Sequence, residues 1–129
     1  MITETKNINN RSYIKNSIKE ELQDLKFNFD HIGTMYLFES IYFLSSKNKY
    51  YKFSLESDVY PIIANRYGDN ARAIKGSISY AIDKMLEECE EEYLMSYLYE
   101  DEYISEDLTN VKIGPKKIIR AVLKRIKDL

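Results

Sequence analysis

The chain has 129 residues, of which 44% are hydrophobic and 31% are charged, which is ordinary for one soluble globular domain. The formal net charge of −2 argues mildly against a nucleic-acid-binding protein. The single cysteine, Cys89, excludes an internal disulfide framework and fits a reducing, cytoplasmic location. No apolar run approaches the roughly 18 residues of a membrane span, and the N-terminus lacks a signal-peptide pattern.

Charge is distributed unevenly along the chain. From Glu87 to Asp107 there are ten acidic residues and no basic ones, whereas from Lys112 to Lys127 there are seven basic residues and no acidic ones. A domain that is acidic overall can still present a basic face, and phosphate groups respond to that local field. The C-terminal segment is therefore a candidate phosphate-binding surface, although a solvated amphipathic helix that packs on the core has the same pattern.

The first part of the chain predicts two helices. Residues 1–10 are polar and are expected to form a flexible N-terminal segment, followed by one helical domain over residues 11–129. A helix is predicted over Arg11–Lys26, because its apolar residues recur at helical spacing: Ile14, Ile18, Leu22 and Leu25. A second helix is predicted over Met35–Ser45, after a boundary at Gly33.

The segment 59–88 is the centre of the predicted fold. Pro61 can open a short helix that ends near Tyr67, because the fixed φ of proline suits the first turn of a helix. Ser54 or Ser57 is a candidate cap for the turn that leads into it. Gly68 can adopt the backbone conformation that ends a helix, and an Asp or Asn side chain in Asp69–Asn70 can cap the next one.

The helix after this turn is predicted to reach Glu88. Its apolar stripe has spacings of three and four: Ile74, Ser77, Ile78, Ala81, Ile82 and Met85. Two helices joined by a short glycine-containing turn form the helix-turn-helix pattern, which occurs in DNA-binding proteins and also in plain helical hairpins. The pattern alone does not choose between these two alternatives.

The chain beyond Cys89 is less regular. Tyr93–Leu98 can continue the preceding helix or start another, and Glu100–Asp107 is expected to be a solvated face or loop. Gly114–Pro115 opens a final helix whose apolar side includes Ile118 and Val122. The predicted fold class is therefore all-α, with about six helices around a helix-turn-helix core.

The sequence has no arrangement typical of an enzyme. It lacks a phosphate-cradling glycine loop, a Cys/His cluster and the Gly-x-Ser-x-Gly turn of hydrolases. His31 is the single histidine, so a metal site would lack a second imidazole ligand. The sequence also offers no nucleophile that matches His31 in a catalytic triad. We therefore expect no enzyme activity, no cofactor, no metal site and no small-molecule substrate.

The sequence resembles the C-terminal effector domain of the stage-zero sporulation protein A family. The resemblance rests first on the run Val59–Ala64. It also rests on Ile78 followed by Ala81 and Ile82, and on Gly33 followed by three further residues: Tyr36, Leu37 and Ile41. It covers roughly residues 18–129. It implies an all-helical domain whose recognition helix, Asn70–Glu88, lies in the major groove of double-stranded DNA, and a dimer on tandem sites. The 129 residues leave no room for the family's usual phosphoacceptor domain, so we expect that domain to be absent here.

The predicted recognition helix departs from the pattern of that family. The family typically carries arginines around a glutamate, and the matching positions here are Ala73, Lys75, Gly76 and Ser79. Arg and Lys are the usual readers of guanine, so most of the family's base contacts would be lost. The DNA-contacting residues expected here are Asn70, Arg72, Ala73, Lys75, Gly76, Ser79 and Tyr80, with phosphate contacts from Lys112, Lys116 and Lys117.

Two functional hypotheses follow from these observations. The first is a sequence-specific DNA-binding transcriptional regulator of the sporulation effector type that acts without a phosphoacceptor domain. The second is a protein-interaction module that keeps the fold, has lost specific DNA reading and pairs with a related regulator through its acidic surface. Substitution of Lys75 tests the first hypothesis, and substitution of Glu90–Glu92 tests the second.

Overall fold

The computed structural model describes residues 2–48, 51–99 and 112–127, and describes side chains from residue 11 onward. Within these ranges the backbone forms six α-helices and one π-helical turn, with no strand. The elements in chain order are α1 (Ile2–Asp24), α2 (Ile32–Ser45), the π-turn (Leu55–Val59), α3 (Tyr60–Tyr67), α4 (Ala71–Glu88), α5 (Glu91–Leu98) and α6 (Pro115–Lys127). The prediction of an all-α fold with about six helices is confirmed.

Helix α2 is the centre of the core. It packs against α1, α3, α4 and α6, and its apolar residues are almost fully buried: Tyr36, Leu37, Ile41 and Leu44. The predicted stripes of the other helices also face inward. Ile18 of α1, Ile78 of α4 and Ile118 of α6 have no exposed surface, and burying a side chain of this size stabilises the fold by about 1.5–3 kcal/mol.

The first two helices begin earlier than the sequence predicted. Helix α1 starts at Ile2 rather than at Arg11, so the backbone of residues 2–10 is helical. This stretch has no apolar stripe, but it contains no Gly or Pro that would stop a helix. The flexibility expected of residues 1–10 stays a prediction. Helix α2 starts at Ile32 rather than at Met35, which places Gly33 inside the helix.

The chain enters the helix-turn-helix pair through the π-turn. The Ser54 side chain accepts a hydrogen bond from the Ser57 amide, and the Asp58 carboxylate accepts one from the Ser54 amide at 2.8 Å. Ser54 therefore caps this turn, as one of the two predicted alternatives. Helix α3 follows at Tyr60, with Pro61 in its first turn as expected.

Two separate helices follow the helix-turn-helix pair. Helix α4 ends at Glu88 with Cys89 as its cap, and α5 starts anew at Glu91, which settles the alternative left open by the sequence. Burial, with a smaller contribution from Glu90, raises the pKa of the Cys89 thiol, while Lys26 opposes that shift. The acidic segment 100–107 lies outside the described residues. In the described ranges, no helix has both the length and the apolar character to span a bilayer.

Candidate nucleic-acid interface

The turn between α3 and α4 has the predicted capping. Gly68 ends α3 with φ 67°, the left-handed conformation that glycine adopts at little cost. The Asn70 side-chain oxygen accepts a hydrogen bond from the Ala73 amide at 2.9 Å and so caps the N-terminus of α4. Asn70 was predicted both as a possible cap and as a DNA contact. The structure gives its carbonyl oxygen the capping role.

A side chain from the central helix holds this turn in place. The Tyr36 hydroxyl of α2 donates to the Asp69 carboxylate at 3.1 Å, and the other Asp69 oxygen accepts from the Asn70 amide at 2.9 Å. Burial, together with this hydrogen bond and the charge of Asp69, raises the pKa of Tyr36. The Tyr36 ring also meets the edge of Tyr67 with centroids 5.7 Å apart. Sequence reasoning missed the hydrogen bond between Tyr36 and Asp69, because no local signal pairs residues 33 positions apart.

Helix α2 also crosses α4 at very close range. A Cβ on Gly33 would lie 1.8 Å from the Ser77 carbonyl oxygen, so only glycine fits at this crossing. The sequence interpretation of Gly33 was a helix boundary. The structure shows that Gly33 allows backbone-to-backbone contact between the two helices, which fixes the position of α4 against the core.

The exposed face of α4 contains most of the predicted DNA-contacting residues. They follow the spacing i, i+3, i+4, i+7, i+8, which places them on one side of a helix: Arg72, Lys75, Gly76, Ser79 and Tyr80. All five are exposed, and the opposite side is buried in the core. Ala73 is only partly exposed and lies beside this face rather than on it. We call the five exposed residues the outer face of α4.

The two basic residues of the outer face have different surroundings. Arg72 makes no hydrogen bond or ion pair with the described residues. The Lys75 ammonium lies 2.6 Å from a carboxylate oxygen of Glu56 in the π-turn, and this hydrogen bond lowers the pKa of Glu56. Both side chains of the pair are more than half exposed, so water and salt screen the attraction strongly.

Tyr80 lies at the far end of the outer face. The residue is 54% exposed, and its ring meets the His31 ring edge to face with centroids 5.4 Å apart. The Lys84 ammonium lies 5.5 Å from the centre of the Tyr80 ring. The phenol hydroxyl has no hydrogen-bond partner among the described residues, so it can still donate to a ligand.

The three predicted phosphate contacts lie at the start of α6 and just before it. Lys112 is exposed, whereas Lys116 donates to the Phe53 carbonyl at 2.8 Å. Lys117 donates to the Tyr99 hydroxyl and lies over the same ring. The structure therefore gathers the residues of α4 on one face, but it engages Lys116 and Lys117 in contacts within the chain.

The charge of α4 changes sign along the helix. Arg72 and Lys75 lie in its first half, whereas its second half contains one basic and three acidic residues: Lys84, Asp83, Glu87 and Glu88. The N-terminal end of a helix also carries a partial positive charge from its unpaired amides. A polyanion would therefore approach the first half of α4 and be repelled by the second.

Within the described residues no group of His, Cys, Asp or Glu forms a metal site.

These features define a helix-turn-helix domain whose second helix is held by the core and open to a ligand. The family model described as the sporulation initiation factor Spo0A C terminal matches residues 18–125. The chain belongs to this family of sporulation DNA-binding effector domains, which regulate transcription and are not enzymes. No curated protein and no solved structure matches the chain.

Proposed function

We propose that this protein is a sequence-specific DNA-binding transcriptional regulator of the cytoplasm, with α4 as its recognition helix. The observation that supports this most is the outer face of α4, a continuous exposed stripe on a helix whose other side is fully packed. An α-helix fits the major groove of B-form DNA, and helix-turn-helix proteins use the N-terminal part of the second helix to contact base edges. The basic first half of α4 suits that position.

Each residue of the outer face has a distinct chemical role in this proposal. Arg72 can donate two hydrogen bonds to one guanine, the commonest specific contact in the major groove. Beyond its chain neighbours and the adjacent backbone of α4, Gly76 has no described atom within 4 Å of the place a Cβ would occupy, so the DNA backbone or a base edge can approach the helix closely there. Ser79 and Tyr80 can donate hydroxyl hydrogen bonds to phosphate or bases.

Lys75 would exchange partners on binding. In the free protein its ammonium is paired with Glu56, and contact with guanine or phosphate would replace that carboxylate. Surface pairs of this kind contribute about 0–1 kcal/mol, so the exchange is energetically accessible. Glu56 then lies next to the DNA, where a carboxylate can accept a hydrogen bond from the amino group of cytosine.

The test is selection of random-sequence duplexes by the purified protein, followed by affinity measurements on the selected site and on a scrambled duplex. Lys75→Glu should abolish most of the preference for the selected site. Lys84→Glu is the matched control, since it makes the same charge change on the same helix, at a lysine already beside Glu87. No enrichment by the native protein, or equal effects of the two variants, would contradict the proposed recognition helix.

We further propose that the protein binds tandem sites as a homodimer. Stoichiometry measured by sedimentation on duplexes with one or two copies of the selected site tests this directly. The overall association constant of two chains for the tandem duplex should exceed the product of the two single-site association constants. Independent binding to the two copies would leave the monomer as the DNA-binding unit.

A protein-interaction role is the second candidate, and one observation favours it. Leu86 and Tyr93 are 39% and 44% exposed, and they flank the segment 87–92, which carries five exposed carboxylates. Exposed apolar side chains next to an acidic run suit a partner protein that carries a basic, partly apolar face. Replacing Glu90–Glu92 with glutamine would weaken the binding of such a partner and leave DNA selection unchanged.

A further inference from the structure

A second basic surface lies away from the outer face of α4. It is a groove of about 430 Å³ between the C-terminal end of α2, the segment 51–53 and α6. Among the described residues that line it, none carries a carboxylate and five are cationic: Lys47, Lys52, Arg120, Lys124 and Lys127. We call this the basic groove. Like charges gathered in one groove repel one another, so an anionic ligand would relieve that repulsion.

Aromatic rings and carbonyl groups hold these cations in place. The Arg120 guanidinium lies 5.9 Å from the centre of the Phe53 ring, and the Lys47 ammonium lies 4.9 Å from that of Phe43. Lys127 donates to the Lys47 carbonyl at 2.9 Å. None of these three, nor Lys52, forms an ion pair with a carboxylate in the described part of the chain. The charges of Lys47, Arg120 and Lys127 are therefore positioned, and no described carboxylate pairs with them.

The basic surface continues beyond this groove. A second groove of about 450 Å³ shares Arg120 and Lys124 with the first and adds Lys112, Lys116 and Lys117 to the cations around α6. Two adjoining grooves with shared cations suit an extended polyanion better than a small anion. A sugar-phosphate backbone presents such a row of charges.

The basic groove is close enough to α4 for one duplex to reach both. Lys116 donates to the carbonyl of Phe53, which lines the groove, and Glu56, three residues further on, is paired with Lys75. Three residues span at most about 11 Å, so the Lys75 ammonium lies no more than roughly 20 Å from Phe53. One turn of duplex DNA is about 34 Å long.

We propose that the basic groove binds the phosphate backbone of the duplex that flanks the segment read by α4. This inference rests on the proposed function and adds a site to it. Its residues differ from Lys112, Lys116 and Lys117, of which two are engaged with Phe53 and Tyr99. The groove contributes affinity without sequence preference, whereas the outer face of α4 contributes the preference.

The test compares two triple variants that make the same change in net charge. One replaces Lys52, Arg120 and Lys127 with glutamine, and the control replaces the exposed Arg11, Lys15 and Lys19 of α1. Affinity is measured against salt concentration on the selected duplex and on a scrambled one. Each lost phosphate contact lowers the slope of log affinity against log salt by about 0.9. The groove variant should therefore lose about 2.7 in slope.

In affinity, the fall between about 50 and 200 mM salt should be about 40-fold smaller for the groove variant than for the native protein. The loss should be equal on both duplexes, and a duplex trimmed to the selected motif should give the native protein the same reduced slope. Circular dichroism confirms that each variant is folded. If the triple variant is not, Lys52→Gln alone, in a segment outside the helices, should lower the slope by about 0.9.

The outcomes separate this inference from the proposed function. If the native protein selects a motif but the groove variant keeps its slope, or changes no more than the control, the groove does not bind the backbone and α4 can still be the reader. If Lys75→Glu removes sequence preference while the groove variant lowers only the slope, both proposals are supported. If the native protein binds no duplex in a salt-dependent way, both are overturned.

Discussion

Replacing Gly33 with alanine tests the close crossing of α2 and α4. The added Cβ would lie 1.8 Å from the Ser77 carbonyl oxygen and 2.4 Å from its carbon. Restoring an ordinary contact of about 3.5 Å requires the helices to separate by about 1.7 Å. Overpacking typically costs about 1–3 kcal/mol, and here the obstacle is backbone, which has no rotamer to change. Alanine returns about 1 kcal/mol of helix propensity, so the net loss should be about 2 kcal/mol.

The assay is thermal unfolding followed by circular dichroism, with Gly76→Ala as the matched control. Beyond its chain neighbours and the adjacent helix backbone, no described atom lies within 4 Å of a Cβ on Gly76, so alanine there should stabilise the domain by about 1 kcal/mol. At about 4 °C per kcal/mol, the midpoints of the two variants should differ by about 12 °C. A Gly33→Ala variant as stable as the native protein, or a shift of both variants in the same direction, would refute the crossing as described.

Three further predictions concern other contacts. Tyr60→Phe should leave stability at pH 7 unchanged or slightly higher, because the buried hydroxyl has no partner among the described residues. Burial raises the pKa of Tyr60 from 10.0 to about 12. The tyrosine therefore ionises in the unfolded chain first, and stability falls as the pH rises between these two values. Urea titrations over this pH range should show a smaller fall in stability for the Tyr60→Phe variant. Asn70→Ala should cost about 1 kcal/mol in the same assay, whereas Asn70→Asp should keep the cap and weaken DNA binding. Glu56→Gln should raise affinity for a scrambled duplex in a fluorescence titration, since Lys75 then has no competing carboxylate. An unchanged affinity would mean that Lys75 does not contact DNA.

The helix-turn-helix core was largely predictable because its signals are local. Gly68 ends one helix and Asn70 caps the next within three residues, and each does so through its own backbone or side chain. Pro61 marked the start of α3 for the same reason. The apolar stripe of α4 faced the core as its spacing indicated, which also left the outer face toward solvent.

Contacts between distant parts of the chain were not predictable. The hydrogen bond from Tyr36 to Asp69 and the crossing at Gly33 depend on how α2 lies against α4, which no local pattern specifies. The pairing of Lys75 with Glu56 joins the π-turn to the recognition helix across 19 positions. The basic groove was missed because its cations come from three segments, although the charge of α6 alone indicated a basic surface.

The pair formed by Lys75 and Glu56 has a consequence for how the protein would find its site. A chromosome presents about 10⁶–10⁹ non-specific sites, so a regulator spends most of its search on DNA that it should leave quickly. A lysine that already has a partner gains little by moving to an arbitrary phosphate, and gains more where a guanine completes its hydrogen bonds. On the proposed function, Glu56 shortens each non-specific encounter. The Glu56 carboxylate thus makes the search faster, because it lowers the affinity of the protein for non-specific DNA.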